Sequence, residues 1–117
     1  MAKHTGQGFP HTHRVVRGAD YRAIYNEGNR IQGDRFVLFW RENSLDHHRL
    51  GITVSRKVGN AVVRNRIKRL FREVFRRSCA EIPHHYDFIV NARRGCDRAG
   101  YMKLREDFLA LTLRKCR

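Results

Sequence analysis

The residues best suited to chemistry in this chain are cations. From Arg56 to Arg77 the sequence RKVGNAVVRNRIKRLFREVFRR carries nine basic side chains and one acid, Glu73. Arginine predominates, and a guanidinium fork grips phosphate oxygens in bidentate fashion and stacks on exposed bases, which an ammonium does not. Asn65, between Arg64 and Arg66, adds a neutral donor and acceptor able to meet a phosphate, a 2′-hydroxyl or a base edge. Such a set holds a polyanion; it does not break bonds. Hydrolysis by the protein would need paired carboxylates or a histidine pair. The acids (Asp20, Glu27, Asp34, Glu42, Asp46, Glu73, Glu81, Asp87, Asp97, Glu106, Asp107) provide no pair beside the basic stretch.

The other reactive side chains read quietly. His11 and His13, His47 and His48, and His84 and His85 form close pairs in the tail or in expected loops, without the i, i+4 helical spacing of a metal clamp. Solvent-facing or phosphate-neighbouring imidazoles are expected there. Cys79, Cys96 and Cys116 are odd in number and lack a C-x-x-C pair, so free thiols are expected and no metal site is.

A helix positions the cations. At about 100° per residue, Val63, Ile67, Leu70, Phe71 and Val74 fall within roughly a third of the circumference and form a docking stripe. Arg64, Asn65, Lys68, Arg69, Arg72 and Arg76 occupy the opposite arc, with Arg66 at its margin. Like charges at Arg64/Lys68, Lys68/Arg72 and Arg72/Arg76 each cost a few tenths of a kcal/mol, roughly, in an isolated helix. A sequence tuned for stability alone intersperses glutamate. Asn60 is the expected N-cap. Arg56 and Lys57 extend the patch towards the helix N-terminus, where exposed N–H groups also favour anions.

The whole chain frames this element. Its 117 residues suit one domain, and 41% hydrophobic content excludes global disorder. The net charge of +14 predicts salt-dependent binding to nucleic acid or an anionic membrane surface. No apolar run approaches the ~18 residues of a membrane span. The N-terminus MAKHTGQGFPHTHR has no apolar core of a secretory signal, which points to the cytoplasm. Residues 1–16 read as a flexible basic arm and 17–117 as a single domain. Helices are expected over about Ala19–Glu27, ended by Gly28 at C′, then Ala61–Cys79 and Tyr101–Lys115. Strands are expected around Arg30–Gln32 and over Arg35–Glu42, Arg49–Ser55 and Asp87–Ala92. The second and third strands should pair as an antiparallel hairpin across the Asn43–His48 turn. The result is a small two-layer α+β sandwich of order α-β-β-β-α-β-α with a mixed four-stranded sheet. Its strand–helix–strand unit implies one parallel pair.

The stretch Ser55–Glu73, with its Arg64-Asn65-Arg66 core, closely resembles the signature of the bacterial ribonuclease P protein subunit. The resemblance continues through His13-Arg14, Asp20-Tyr21 and Tyr25, through Phe36–Phe39, Arg49–Ser55 and Asp87–Arg93. It leaves only the arm before about Phe9 unmatched. It implies an RNA-binding domain that serves as cofactor to a catalytic RNA, which uses bound Mg2+ to remove the 5′ leader from precursor tRNA. No cofactor in the protein itself and no catalytic residue is implied. Arg56, Lys57, Asn60, Arg64, Asn65, Arg66, Lys68, Arg69, Arg72 and Arg76 would face the catalytic RNA. A cleft of Tyr21, Tyr25, Val37 and Phe39 would hold the single-stranded leader. Tyr21 and Tyr25 stand where the family usually has Phe, Phe39 where it often has Tyr, and Arg56 where Lys is common. A left-handed β-α-β crossover is also implied, against the general rule. Stacking suits an unpaired strand, since each base gains ~1–3 kcal/mol with little sequence preference. Taken without the resemblance, the three aromatics read more readily as core. The alternative function is a non-catalytic ribosomal or RNA-chaperone type protein, which shares the charge but needs no leader cleft. A DNA partner is not expected, because helix-turn-helix and zinc-finger spacings are absent, and with RNA as the implied partner no membrane partner is expected.

Overall fold

Alternation of apolar residues along the strands and a 3.6-residue period along the helices generate seven elements, which the computed structural model describes over residues 13–115. They are α1 (Gly18–Glu27), β1 (Asn29–Gln32), β2 (Phe36–Glu42), β3 (Arg49–Thr53), α2 (Ala61–Ser78), β4 (Tyr86–Ala92) and α3 (Gly100–Lys115). Short 3-10 turns at Cys79–Glu81 and Cys96–Ala99 flank β4. The order α-β-β-β-α-β-α and the mixed sheet are those expected from sequence.

The pairing differs from the expected hairpin in one respect. The strand order is β1-β2-β4-β3, so β4 lies between β2 and β3, and those two share no rung. β4 runs antiparallel to β2, with Val37 opposite Asn91 and Phe39 opposite Ile89. It runs parallel to β3, with Gly51 opposite Ile89 and Thr53 opposite Asn91. The physical reason lies in β4 itself. Its first five residues, Tyr86 to Val90, are all buried. A strand buried on both faces belongs at the centre of a sheet, whereas β3 is polar at both ends.

Each central strand serves two faces. Phe36, Leu38, Trp40, Leu50, Phe88 and Val90 point towards α2 and α3 and meet Ile67, Phe71, Val74, Phe75, Leu104 and Phe108. Removing each such side chain from water contributes about 1.5–3 kcal/mol, and this packing is the body of the fold. Among the described residues the opposite face carries α1 and the Val15 segment, with Ile24, Val15 and Ile89 buried together and Tyr21, Tyr25 and Phe39 packed beside them. One helix cannot cover four strands, so among the described residues this face is partly open.

Three local expectations change. Residues 1–12 of the proposed arm lie outside the described residues, but its last part is not free. Arg14 bridges Leu50, the Val15 N–H donates to the Leu50 carbonyl at 3.0 Å, and the Val15 side chain is buried. Gly28 ends α1 in an extended conformation, not a left-handed one. Glycine is needed there for space, since a Cβ would lie 2.5 Å from the Ile24 carbonyl oxygen and 2.6 Å from that of Trp40. His48 is buried, not solvent-facing. Its Nδ1 accepts from the Tyr86 N–H at 3.0 Å, which satisfies a strand-end donor, and burial lowers its pKa.

Candidate nucleic-acid interface

The basic surface is built from α2 outward. Asn60 caps the helix as expected, its Oδ1 accepting from the Val63 N–H at 3.0 Å. Ile67, Phe71, Val74, Phe75 and Ser78 form the buried stripe, with Val63 and Leu70 at its edges. That docking turns the arginines outward. Arg56, Lys57, Asn60, Asn65, Arg66, Arg69 and Arg76 are exposed, while Arg64, Lys68 and Arg72 are half-buried.

Charge is not even along this surface. Glu73 accepts from Arg76 at 2.7 Å and also pairs with Arg77, and their hydrogen bonds hold its carboxyl below the usual range. The C-terminal turn of α2 is therefore partly neutralised. Towards the N-terminus the positive charge accumulates. Arg64 donates to the Gly59 carbonyl at 2.8 Å, fixing the turn that presents Arg56 and Lys57. Arg66 reaches Asp97 at 3.3 Å. Arg94 donates through Nε to the Lys57 carbonyl at 3.0 Å, so the connection after β4 is docked beside the helix start. Exposed Arg94 and Arg98 thereby join the patch, which the sequence reading missed. The run Arg93-Arg94-Gly95 was the available signal, but nothing local tied it to α2.

The four expected cleft residues come together on the open face of the sheet. Tyr25 meets Phe39 edge-on with ring centroids 4.7 Å apart, and Tyr21 lies 6.3 Å from Tyr25. Val37 is two residues from Phe39 on the same face, and Arg30 sits 6.0 Å over the Phe39 ring. All four are half-buried. A fully packed core would hide them, and a solvated surface would not cluster them. The Tyr25 hydroxyl donates to Asn91 Oδ1 at 2.9 Å and lies 3.2 Å from Thr53 Oγ1. Burial first, and then Tyr25, raises the Tyr21 pKa, so its hydroxyl stays neutral at physiological pH. Gly51, Thr53 and Asn91 were not singled out from sequence, because sheet register brings them here and register is non-local.

A groove of about 200 Å³ joins the two surfaces, lined by Arg14, Tyr21, Gly51, Lys68 and Arg72 among others. Burial, and then the charge of Arg14, lowers the Arg72 pKa, as expected where cations crowd. Tyr21 thus borders both the aromatic cleft and the basic helix.

Asp87 anchors the far end of the open face. Its fully buried carboxylate receives Arg49 at 2.7 and 2.8 Å and Asn43 at 2.8 Å. Burial opposes ionisation there, but these hydrogen bonds outweigh it and lower the pKa. Burial pushes the Cys79 thiol up to about 12 and that of Cys96 up to about 11, so neither is a ready nucleophile. Among the described residues, no three His, Cys, Asp or Glu side chains converge as metal ligands would.

Comparison with known proteins agrees with this fold. The family model described as Ribonuclease P matches residues 9–116. The ribonuclease P protein component of Streptococcus pneumoniae strain Hungary19A-6 is 38% identical over 96 residues, 82% of this chain and 78% of that protein. The RNase P protein of Staphylococcus aureus superposes with a TM-score of 0.77 at 36% identity, covering 89% of this chain and 96% of that one. The Thermotoga maritima RNase P protein gives a TM-score of 0.77 at 37% identity, covering 86% and 96%. A basic helix seated on a sheet whose other face holds an aromatic cleft, in a chain matched over nearly its whole length, belongs to the bacterial ribonuclease P protein family.

Proposed function

We propose that this chain grips the RNA of a ribonuclease P ribonucleoprotein with the α2 surface and holds the 5′ leader of precursor tRNA in the aromatic cleft, while the RNA, with its bound Mg2+, performs the cleavage. The observation that carries this reading is the pairing of two chemically different surfaces around Tyr21. One is a crowded cationic helix suited to a structured phosphate backbone. The other is a half-buried aromatic cleft suited to unpaired bases. A ribosomal or chaperone-type protein needs only the first.

Arg56, Lys57, Asn60, Asn65, Arg66 and Arg69 supply the exposed contacts to the catalytic RNA, and Arg64 shapes the turn before them. Lys68 and Arg72 serve where that surface meets the cleft, and Arg76 contributes less because Glu73 shares its charge. Tyr21, Tyr25, Val37 and Phe39 line the leader path. The carboxylates nearest the basic surface, Glu73 and Asp97, are engaged in ion pairs, which supports leaving the chemistry to the RNA. The same reading makes the cytoplasm its compartment.

The test is stimulation of 5′ processing by a bacterial ribonuclease P RNA at low magnesium. Added protein is expected to restore cleavage; no restoration with an RNA active at high magnesium would overturn the reading. Tyr21→Ala or Phe39→Ala should weaken binding to leader-bearing precursor more than to mature tRNA. Arg66→Ala should instead weaken binding to the catalytic RNA. Equal losses on all ligands would refute that division.

A further inference from the structure

We propose that Asn91, supported by Thr53, reads the edge of a base held in the aromatic cleft, so that the leader site selects for base identity as well as for stacking. The proposal rests on the leader-binding reading above. The argument begins with hydrogen-bond direction. A tyrosine hydroxyl has one proton, and that of Tyr25 goes to Asn91 Oδ1 at 2.9 Å. The 3.2 Å contact between Tyr25 and Thr53 is then made by the threonine proton. The Tyr25 bond sets the amide: Oδ1 faces Tyr25, and Nδ2 points away from it.

What remains is a recognition set. Nδ2 keeps two N–H donors, with no hydrogen-bond partner among the described residues, and it is not among the buried unpaired atoms, so it meets solvent. Oδ1 keeps one lone pair, and Thr53 Oγ1 keeps its acceptor capacity. A carboxamide with a donor and an acceptor side by side is the group that pairs with a base edge in bidentate fashion.

Placement supports the same role. Asn91 is the middle member of a rung whose flanking residues are Val37 and Thr53, on the cleft face. Phe39 is one diagonal step away along β2, a separation of about 7–8 Å between such positions. A base stacked against Tyr25 and Phe39 therefore brings its edge within reach of the amide. Asparagine is disfavoured in strands, and its strand neighbours Ile89 and Val90 are fully buried apolar residues. A polar residue in that place, with three of its four side-chain hydrogen-bonding positions unspent, departs from what stability alone requires.

The experiment uses holoenzyme assembled from this protein and a bacterial ribonuclease P RNA. Precursor tRNAs carry A, C, G, U or an abasic residue at each leader position in turn, and affinity and kcat/KM are measured. Wild type is expected to show a spread of roughly tenfold among bases at one leader position, the size of a well-placed bidentate contact. Asn91→Val should collapse that spread towards the abasic value. Asn91→Asp keeps an acceptor for Tyr25 but replaces the donors with an acceptor, and should reorder the bases. A wild-type spread below about twofold at every position would overturn the proposal. So would an Asn91→Val protein that weakens all leaders equally while keeping their ranking, because that is a structural role. An Asn91→Asp protein with the wild-type ranking would overturn it too. Equal affinity for precursor and mature tRNA would overturn the leader reading, and this proposal with it. A leader preference without base discrimination overturns the proposal alone.

Discussion

Replacing Gly51 with alanine should disable the cleft without altering any residue that lines its aromatic wall. A Cβ at this position would stand 2.5 Å from the Tyr21 hydroxyl oxygen, 2.8 Å from Cζ and 3.0 Å from Cε1. That is about 1 Å inside ordinary carbon contact. Gly51 sits in the middle of β3, paired with Ile89, so the backbone has little room to retreat and the ring must move. A side chain forced about 30° from its rotamer costs roughly 0.5–1.5 kcal/mol, and the displaced ring no longer stands beside Tyr25. If Tyr21 contributes a stacking surface of ~1–3 kcal/mol, affinity for leader-bearing precursor falls about tenfold. Affinity for mature tRNA should hardly change. The same substitution made in a Tyr21→Ala background meets no ring. There it should leave leader binding unchanged and raise stability by about 0.4–1 kcal/mol, through the loss of unfolded-state freedom. The assay is a double-mutant cycle on precursor affinity, with denaturant unfolding of all four proteins. Additive effects, with Gly51→Ala as harmful without the Tyr21 ring as with it, would refute the steric argument.

Asp87→Asn should destabilise the protein by about 3 kcal/mol, because Arg49 is left partly buried beside a neutral amide. Its pH signature follows from the lowered folded-state pKa: the stabilisation is complete above the unfolded value of about 3.9 and is lost as pH falls through the lower folded value. Urea titrations at pH 7 and pH 3 should show the gap between wild type and variant narrowing in acid; a constant gap would refute the assignment. His48→Asn keeps an acceptor for the Tyr86 N–H but cannot titrate. The folded pKa of His48 lies below the unfolded value of about 6.5, so its contribution is present above that pH and is lost as pH falls below it. Wild-type stability should decline between pH 7.5 and 5.5 more steeply than that of the variant, and parallel curves would count against a neutral buried imidazole.

The sequence was legible wherever the information is local. The period of α2, the capping Asn60 and the strand lengths depend on neighbours along the chain, and they appear in the structure within a residue or two. The strand partners do not. A turn between two apolar segments suggests a hairpin, and only the continuous burial of Tyr86 to Val90 marks β4 as the strand that separates them. The same limit explains the site. Tyr21, Tyr25, Val37 and Phe39 were recognisable as aromatic or branched residues of one helix and one strand. Thr53 and Asn91 became part of the cleft only through register with β4. His48 misled because paired histidines after a turn read as exposed, while its ring in fact closes the core beside Phe75, Tyr86 and Phe88. The Arg94 contact with Lys57 joins residues 37 apart in sequence, beyond any local pattern.

The central place of β4 also sets an order of events during synthesis. β2, β3 and the whole of α2 are synthesised before residue 86, and in the finished sheet β2 and β3 meet only through β4. A nascent chain short of that point has its cations but no platform for Ile67, Phe71 and Val74, and no floor for the cleft. Non-local pairing of this kind closes late. Such a chain has the charge to attract a polyanion but no shaped surface to orient it. Arrival of one strand supplies Phe88 and Val90 to the helix side and Ile89 and Asn91 to the cleft side together. One strand is therefore a shared requirement of both surfaces.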